Sequence, residues 1–64
     1  MLIQDGIKAL DGVADCQYYG DTFSLHVWCV SKDEIPSVRI RVAKYLSDRM
    51  LTDSIKTVIC YAIA

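Results

Sequence analysis

The sequence predicts an α+β fold, a two-layer sandwich in which two helices cover one face of a three-stranded sheet, in the order αββαβ. Three patterns predict it: a short helical pattern at the start, a hairpin pattern in residues 13–30, and an uncharged β-rich segment after Lys56. The 64 residues are enough for one small domain, residues 1–64. Because 53% of the residues are hydrophobic and the net charge is −1, the composition disfavours a disordered chain and a strongly basic nucleic-acid module.

The first helix is predicted over about residues 2–10. Asp5 lies near its start and Lys8 near its end, where each charge complements the helix dipole. Gly12 can adopt the left-handed conformation that follows many helices, so the helix is expected to end before it. The apolar side chains of this segment recur on one helix face: Leu2, Ile3, Ile7 and Leu10.

A β-hairpin is predicted next, with strands at residues 13–19 and 22–30, because both segments are rich in β-branched, aromatic and small residues. Gly20-Asp21 between them suits a two-residue type II′ turn. Pairing outward from this turn gives one apolar face with the pairs Tyr18–Phe23, Cys16–Leu25 and Ala14–Val27. The opposite face then carries the pairs Gln17–Ser24, Asp15–His26 and Val13–Trp28.

Residues 31–51 allow two interpretations. A long helix is favoured because Pro36 suits a first helical turn, with Ser31 or Asp33 as the capping residue. It would place one apolar stripe toward the sheet: Ile35, Val38, Val42, Tyr45, Leu46 and Met50. The alternative order is αβββαβ, in which the alternating residues 37–43 form a strand and a short helix follows at about residues 44–51.

The last segment, residues 54–64, is predicted to contain a strand because β-branched residues dominate it and no charge follows Lys56. A right-handed crossover through the second helix makes this strand parallel to the second strand. If the first strand lies between those two, every neighbouring pair in the sheet is antiparallel. The order of elements resembles a ferredoxin-like fold that lacks its first strand, and this resemblance concerns architecture only.

The sheet face away from the helices is the predicted functional surface, because large apolar side chains occupy a face that should otherwise be polar. In the last strand, this face carries either Val58, Cys60 and Ala62 or Thr57, Ile59, Tyr61 and Ile63, and both sets remain open. Tryptophan is enriched at interface hot spots, so the single tryptophan is the expected anchor. The predicted partner-binding residues are Tyr19, His26, Trp28, Val30, Val58 and Cys60.

No catalytic residue, metal site or cofactor is predicted. His26 is expected to form a surface pair with Asp15 across the hairpin, and no nucleophile motif accompanies it. Cys16 and Cys29 are expected on the helix-covered face, so they cannot share a tetrahedral metal ion with His26. The three cysteines are expected to be reduced thiols, which favours a cytoplasmic protein, and no apolar run is long enough to predict a membrane span.

The sequence therefore predicts a non-enzymatic protein-interaction module that associates with itself through the open sheet face or an edge strand. One alternative is a small viral or mobile-element inhibitor or adaptor that binds a larger host protein as a monomer. A nucleic-acid-binding domain is a further alternative, with Tyr18, Tyr19 and Trp28 as stacking platforms beside the cations of the second helix. The net charge of −1 counts against that alternative.

Overall fold

Two helices and three strands follow one another in the predicted order αββαβ in the computed structural model, which describes residues 3–63. Their bounds are α1 Ile3–Lys8, β1 Val13–Tyr19, β2 Ser24–Cys29, α2 Ile35–Asp48 and β3 Thr57–Ala62. A 3-10 turn, Lys32–Glu34, leads into α2. Leu2 and Ala64, which the sequence assigned to the first helix and the last strand, lie outside the described residues.

The sheet is mixed, and β2 is its central strand. The spatial order is β1-β2-β3, with β1 antiparallel and β3 parallel to β2. The first strand therefore does not lie between the other two, and the all-antiparallel arrangement is wrong. Since β3 has a neighbour on one side only, it is an edge strand of the sheet.

The hairpin loop is longer than the predicted two-residue turn. Phe23 adopts a left-handed conformation, with φ of 54°, so the loop spans residues 20–23 and β2 begins at Ser24. Tyr19 therefore pairs with Ser24 rather than with Thr22, and Cys16 pairs with Val27. A shift of two residues changes the partners in β2 but keeps each side chain on its predicted face, because strands alternate with period two.

A bulge interrupts β1 between Val13 and Asp15. The bulge places one extra residue in β1 relative to β2. Val13 therefore pairs with Cys29 rather than with its predicted partner Trp28. Val13 packs against the hydrophobic core, whereas regular alternation predicted it on the open face.

The long-helix interpretation of residues 31–51 is confirmed, and the alternative strand at residues 37–43 is wrong. Val38, Val42 and Leu46 are buried on one face of α2. Neither predicted cap begins α2: Ser31 precedes the 3-10 turn and makes no side-chain cap hydrogen bond, and Glu34, rather than Asp33, is the residue before α2. Met50 was predicted on the apolar stripe, but it follows the helix and is 88% exposed.

The core lies between the helices and one face of the sheet. Gly6 of α1 lets the Tyr45 ring of α2 approach closely, because a Cβ atom at this position would overlap the ring. The two helices therefore pack on the same face of the sheet, as predicted. The buried core residues are Ile7, Cys16, Leu25, Val27, Cys29, Val38, Val42, Leu46 and Ile55.

Candidate interaction surface

The face of the sheet opposite the helices carries a cluster of large side chains from all three strands. Residues of β2 and β3 that are paired in register point to the same side, and His26 pairs with Ile59 while Trp28 pairs with Tyr61. Tyr19 joins them from the end of β1. The aromatic patch is defined here as Tyr19, His26, Trp28, Ile59 and Tyr61.

The rings of the patch pack against one another. Trp28 and Tyr61 have ring centroids 5.2 Å apart with an interplanar angle of 20°, and His26 and Tyr61 are 5.7 Å apart at 11°. Tyr19 meets the His26 ring edge to face, with centroids 4.8 Å apart. Such cross-strand ring pairs stabilise a sheet and fix the side-chain rotamers.

A hydrogen bond links the polar atoms inside the patch. The Nδ1 atom of His26 lies 2.8 Å from the hydroxyl oxygen of Tyr61. Each of these groups thereby satisfies part of the other's hydrogen-bonding capacity without water. The cost of removing the two side chains from water in a complex is lower than it would be for unpaired polar groups.

The patch is open to solvent. Ile59 and Tyr61 are each 37% exposed, and Tyr19 is 44% exposed. Both helices contribute their buried side chains to the core on the other face of the sheet. Among residues 3–63, no element covers the patch, so a group of adjoining apolar side chains remains in contact with water.

The structure separates the six predicted partner-binding residues into two groups. Tyr19, His26 and Trp28 belong to the aromatic patch, and Val30, just after β2, is 46% exposed. Val58 and Cys60 lie on the opposite face, where they pack against the core.

The reason for this separation is the register of β3. Val58 pairs with buried Leu25, and Cys60 pairs with buried Val27. The sequence prediction of partner-binding residues did not include Ile59 and Tyr61, which lie on the open face where Val58 and Cys60 were expected. Alternation had already grouped these two residues, but only the pairing of β3 with β2 decides which set faces the helices.

The predicted pair of His26 and Asp15 is wrong. The two-residue shift in the hairpin places Asp15 opposite Trp28 and His26 opposite Gln17. Asp15 instead forms an ion pair with Lys8 of α1, with 3.4 Å between Oδ1 and Nζ. The Tyr61 hydroxyl, rather than the Asp15 carboxylate, is therefore the hydrogen-bond partner of the His26 imidazole.

The cysteines lie on the helix-covered face, away from the aromatic patch. All three are free thiols. Burial, followed by the nearby Asp15 carboxylate, raises the pKa of Cys16 to about 11, and burial also raises the pKa of Cys29 and of Cys60. Raised pKa values keep these thiols protonated and poorly nucleophilic at neutral pH. No group of three or more metal-binding side chains occurs within the part of the chain that the structure describes.

The chain matches no protein-family model, no curated protein and no solved structure. No helix formed by residues 3–63 combines the length and the apolar character needed to cross a membrane.

Proposed function

We propose that this chain is a non-enzymatic protein-interaction module that associates with a second copy of itself through the side of the sheet formed by the aromatic patch and the edge strand β3. The observation that carries the proposal is the solvent exposure of Tyr19, Ile59 and Tyr61 on a sheet face that no described element covers. A contiguous exposed apolar surface on a small protein usually marks a binding site.

The core of the domain does not need the patch. The buried residues all belong to the helices, to the inner face of the sheet or to the segment before β3. The aromatic rings on the outer face are additional apolar surface, and covering part of this surface in a complex gives a favourable free energy. Because a chain of 64 residues has a small core, a second copy also offers stability that one chain gains with difficulty.

The nucleic-acid alternative receives less support. Trp28 and Tyr61 stack on each other, so ring faces that could receive bases are already in contact. The cations of α2 belong to the helix layer, whereas the patch lies on the other face of the sheet. Arg41 is also engaged with the Asp11 carbonyl oxygen, at 3.0 Å, and with Glu34, at 3.5 Å.

Tyr61→Ala tests the proposal, because Tyr61 is an exposed aromatic residue of the edge strand and stacks on Trp28 within the patch. Sedimentation equilibrium across the micromolar range should give a dimer for the natural chain. We expect the substitution to raise the dimer dissociation constant at least about tenfold, since removal of a buried aromatic anchor typically costs 2 kcal/mol or more. Trp28→Ala should weaken the dimer as well, because the Tyr61 ring loses its stacking partner.

Phe23→Ala is the matched control. Phe23 is an aromatic residue of similar exposure (43%), but it lies in the hairpin loop beside Lys56 and outside the patch. Its replacement should leave the dissociation constant unchanged, and circular dichroism should verify that each variant is folded. A natural chain that stays monomeric throughout this range would contradict self-association. A monomer would favour an adaptor that uses the same patch to bind a larger protein.

A further inference from the structure

The outer edge of β3 presents unused backbone groups. Successive residues of a strand direct their N–H and C=O groups to alternate sides. The N–H groups of Thr57 and Ile63 donate to carbonyl oxygens at the two ends of β2, at 3.3 and 3.1 Å, so the odd-numbered residues bond inward. Val58, Cys60 and Ala62 therefore direct their N–H and C=O groups away from the sheet.

The other edge of the sheet, formed by β1, is closed to pairing. The N–H group of Tyr18 donates to Oε1 of Gln4 at 3.3 Å, and that of Cys16 donates to Oδ1 of Asp15 at 2.8 Å. The bulge next to Val13 interrupts the regular spacing of this edge. Natural sheets use such features to prevent edge-to-edge association.

The β3 edge carries none of these protective features. Residues 57–63 contain no charged residue and no proline, and their pairing with β2 has no register shift. Within the described residues 3–63, no side chain hydrogen-bonds to the outward N–H groups of β3. An uncharged, regular and exposed edge strand is a template for another strand.

The edge is also complementary to itself. The uncharged segment, residues 57–63, is centred on Cys60, so an antiparallel copy related by a two-fold axis at Cys60 pairs the whole segment. Ile59 then lies opposite Tyr61 of the second copy, and Val58 lies opposite Ala62 of the second copy. Apolar residues face apolar residues throughout the centre, and no like charges meet.

We propose that a second copy of this chain pairs its β3 antiparallel with the free β3 edge, with Cys60 of one copy opposite Cys60 of the other. The inference rests on the proposed self-association and specifies how it occurs. About six intermolecular backbone hydrogen bonds form, because both copies contribute the outward groups of Val58, Cys60 and Ala62. The two sheets become one, and the two aromatic patches become continuous through Ile59 and Tyr61.

Ala62→Pro tests the edge pairing. Proline removes the outward N–H group of residue 62 but no hydrogen bond to β2, and such a position on an edge strand accepts proline. We expect the dissociation constant in sedimentation equilibrium to rise at least about tenfold, because each dimer loses two intermolecular hydrogen bonds.

Ala62→Val is the matched control, since valine has bulk comparable to proline and keeps the N–H group. It should dimerise like the natural chain, and circular dichroism should show the same fold for both variants. If the natural chain is a dimer and Ala62→Pro dimerises equally well, the edge pairing is overturned while self-association stands. If the natural chain is a monomer, both proposals fail together.

A mixed cross-linking experiment tests the register. In the proposed pairing, Thr57 lies opposite Ile63 of the second copy, on the open face. One chain carries Thr57→Cys and the other carries Ile63→Cys, both with Cys60→Ala, and glutathione disulfide serves as the oxidant. The mixture should form a disulfide-linked dimer faster than either chain alone, and equal rates in all three samples would refute this register.

Discussion

Met50 has a left-handed backbone, with φ of 58°, two residues after the C-terminal end of α2. The N–H group of Met50 donates to the Ser47 carbonyl oxygen at 3.1 Å, and that of Leu51 donates to the Leu46 carbonyl oxygen at 2.8 Å. These two hydrogen bonds form a Schellman motif, in which glycine usually occupies the left-handed position. A residue with a Cβ atom is strained there.

Met50→Gly should therefore stabilise the protein by about 1 kcal/mol, because glycine adopts positive φ without a steric penalty and the exposed Met50 side chain contributes little packing. Urea unfolding followed by circular dichroism measures this gain. Met50→Ala is the control, since alanine also lacks the long side chain but keeps the Cβ atom. Equal stability of the glycine and alanine variants would show that backbone strain at this position is unimportant.

At the scale of elements, α2 shows how tertiary packing resolves an ambiguous pattern. Residues 38–42 alternate apolar and basic types, which also fits a strand. In the helix, Val38 and Val42 are buried, whereas Ile40 is 71% exposed on the other side. A strand would place these three side chains on one face, so the two interpretations differ in the environment of Ile40.

Val42→Ala should cost about 2 kcal/mol of stability because it leaves a cavity in the core, while Ile40→Ala should change stability by less than about 0.5 kcal/mol. The free energy of unfolding in urea measures both effects. Comparable losses for the two variants would contradict the helix and would agree with a strand.

At the scale of the whole molecule, stability and association are expected to be coupled. Dimer formation adds its binding free energy to the folded state by mass action, so the unfolding midpoint should depend on protein concentration. For a domain of 64 residues, we expect a rise of about 5 °C for each tenfold increase in concentration.

Thermal unfolding at several concentrations measures this dependence. Ala62→Pro should lower the midpoint relative to the natural chain at the same concentration, whereas Ala62→Val should retain the concentration dependence of the natural chain. A midpoint that is independent of concentration in the natural chain would contradict a dimer in this range.

Local patterns predicted the elements and part of the site. The order αββαβ, the long second helix and the open-face positions of Tyr19, His26 and Trp28 all follow from periodicity and from residues such as Pro36. The pairing details did not follow, because the left-handed Phe23 lengthens the hairpin loop and the bulge at Val13 alters one end of β1. Neither conformation has a distinctive signal in the sequence.

The sequence by itself determined the fold class and which residues share a face, because the apolar side chains recur with the period of a helix or of a strand. Only the tertiary structure decided that β3 lies at an edge beside β2, and that Ile59 and Tyr61, rather than Val58 and Cys60, face outward. The physical reason is that strand order and register depend on hydrogen bonds between distant segments. A period of two defines two faces of a strand, but only its neighbours determine which face the helices cover.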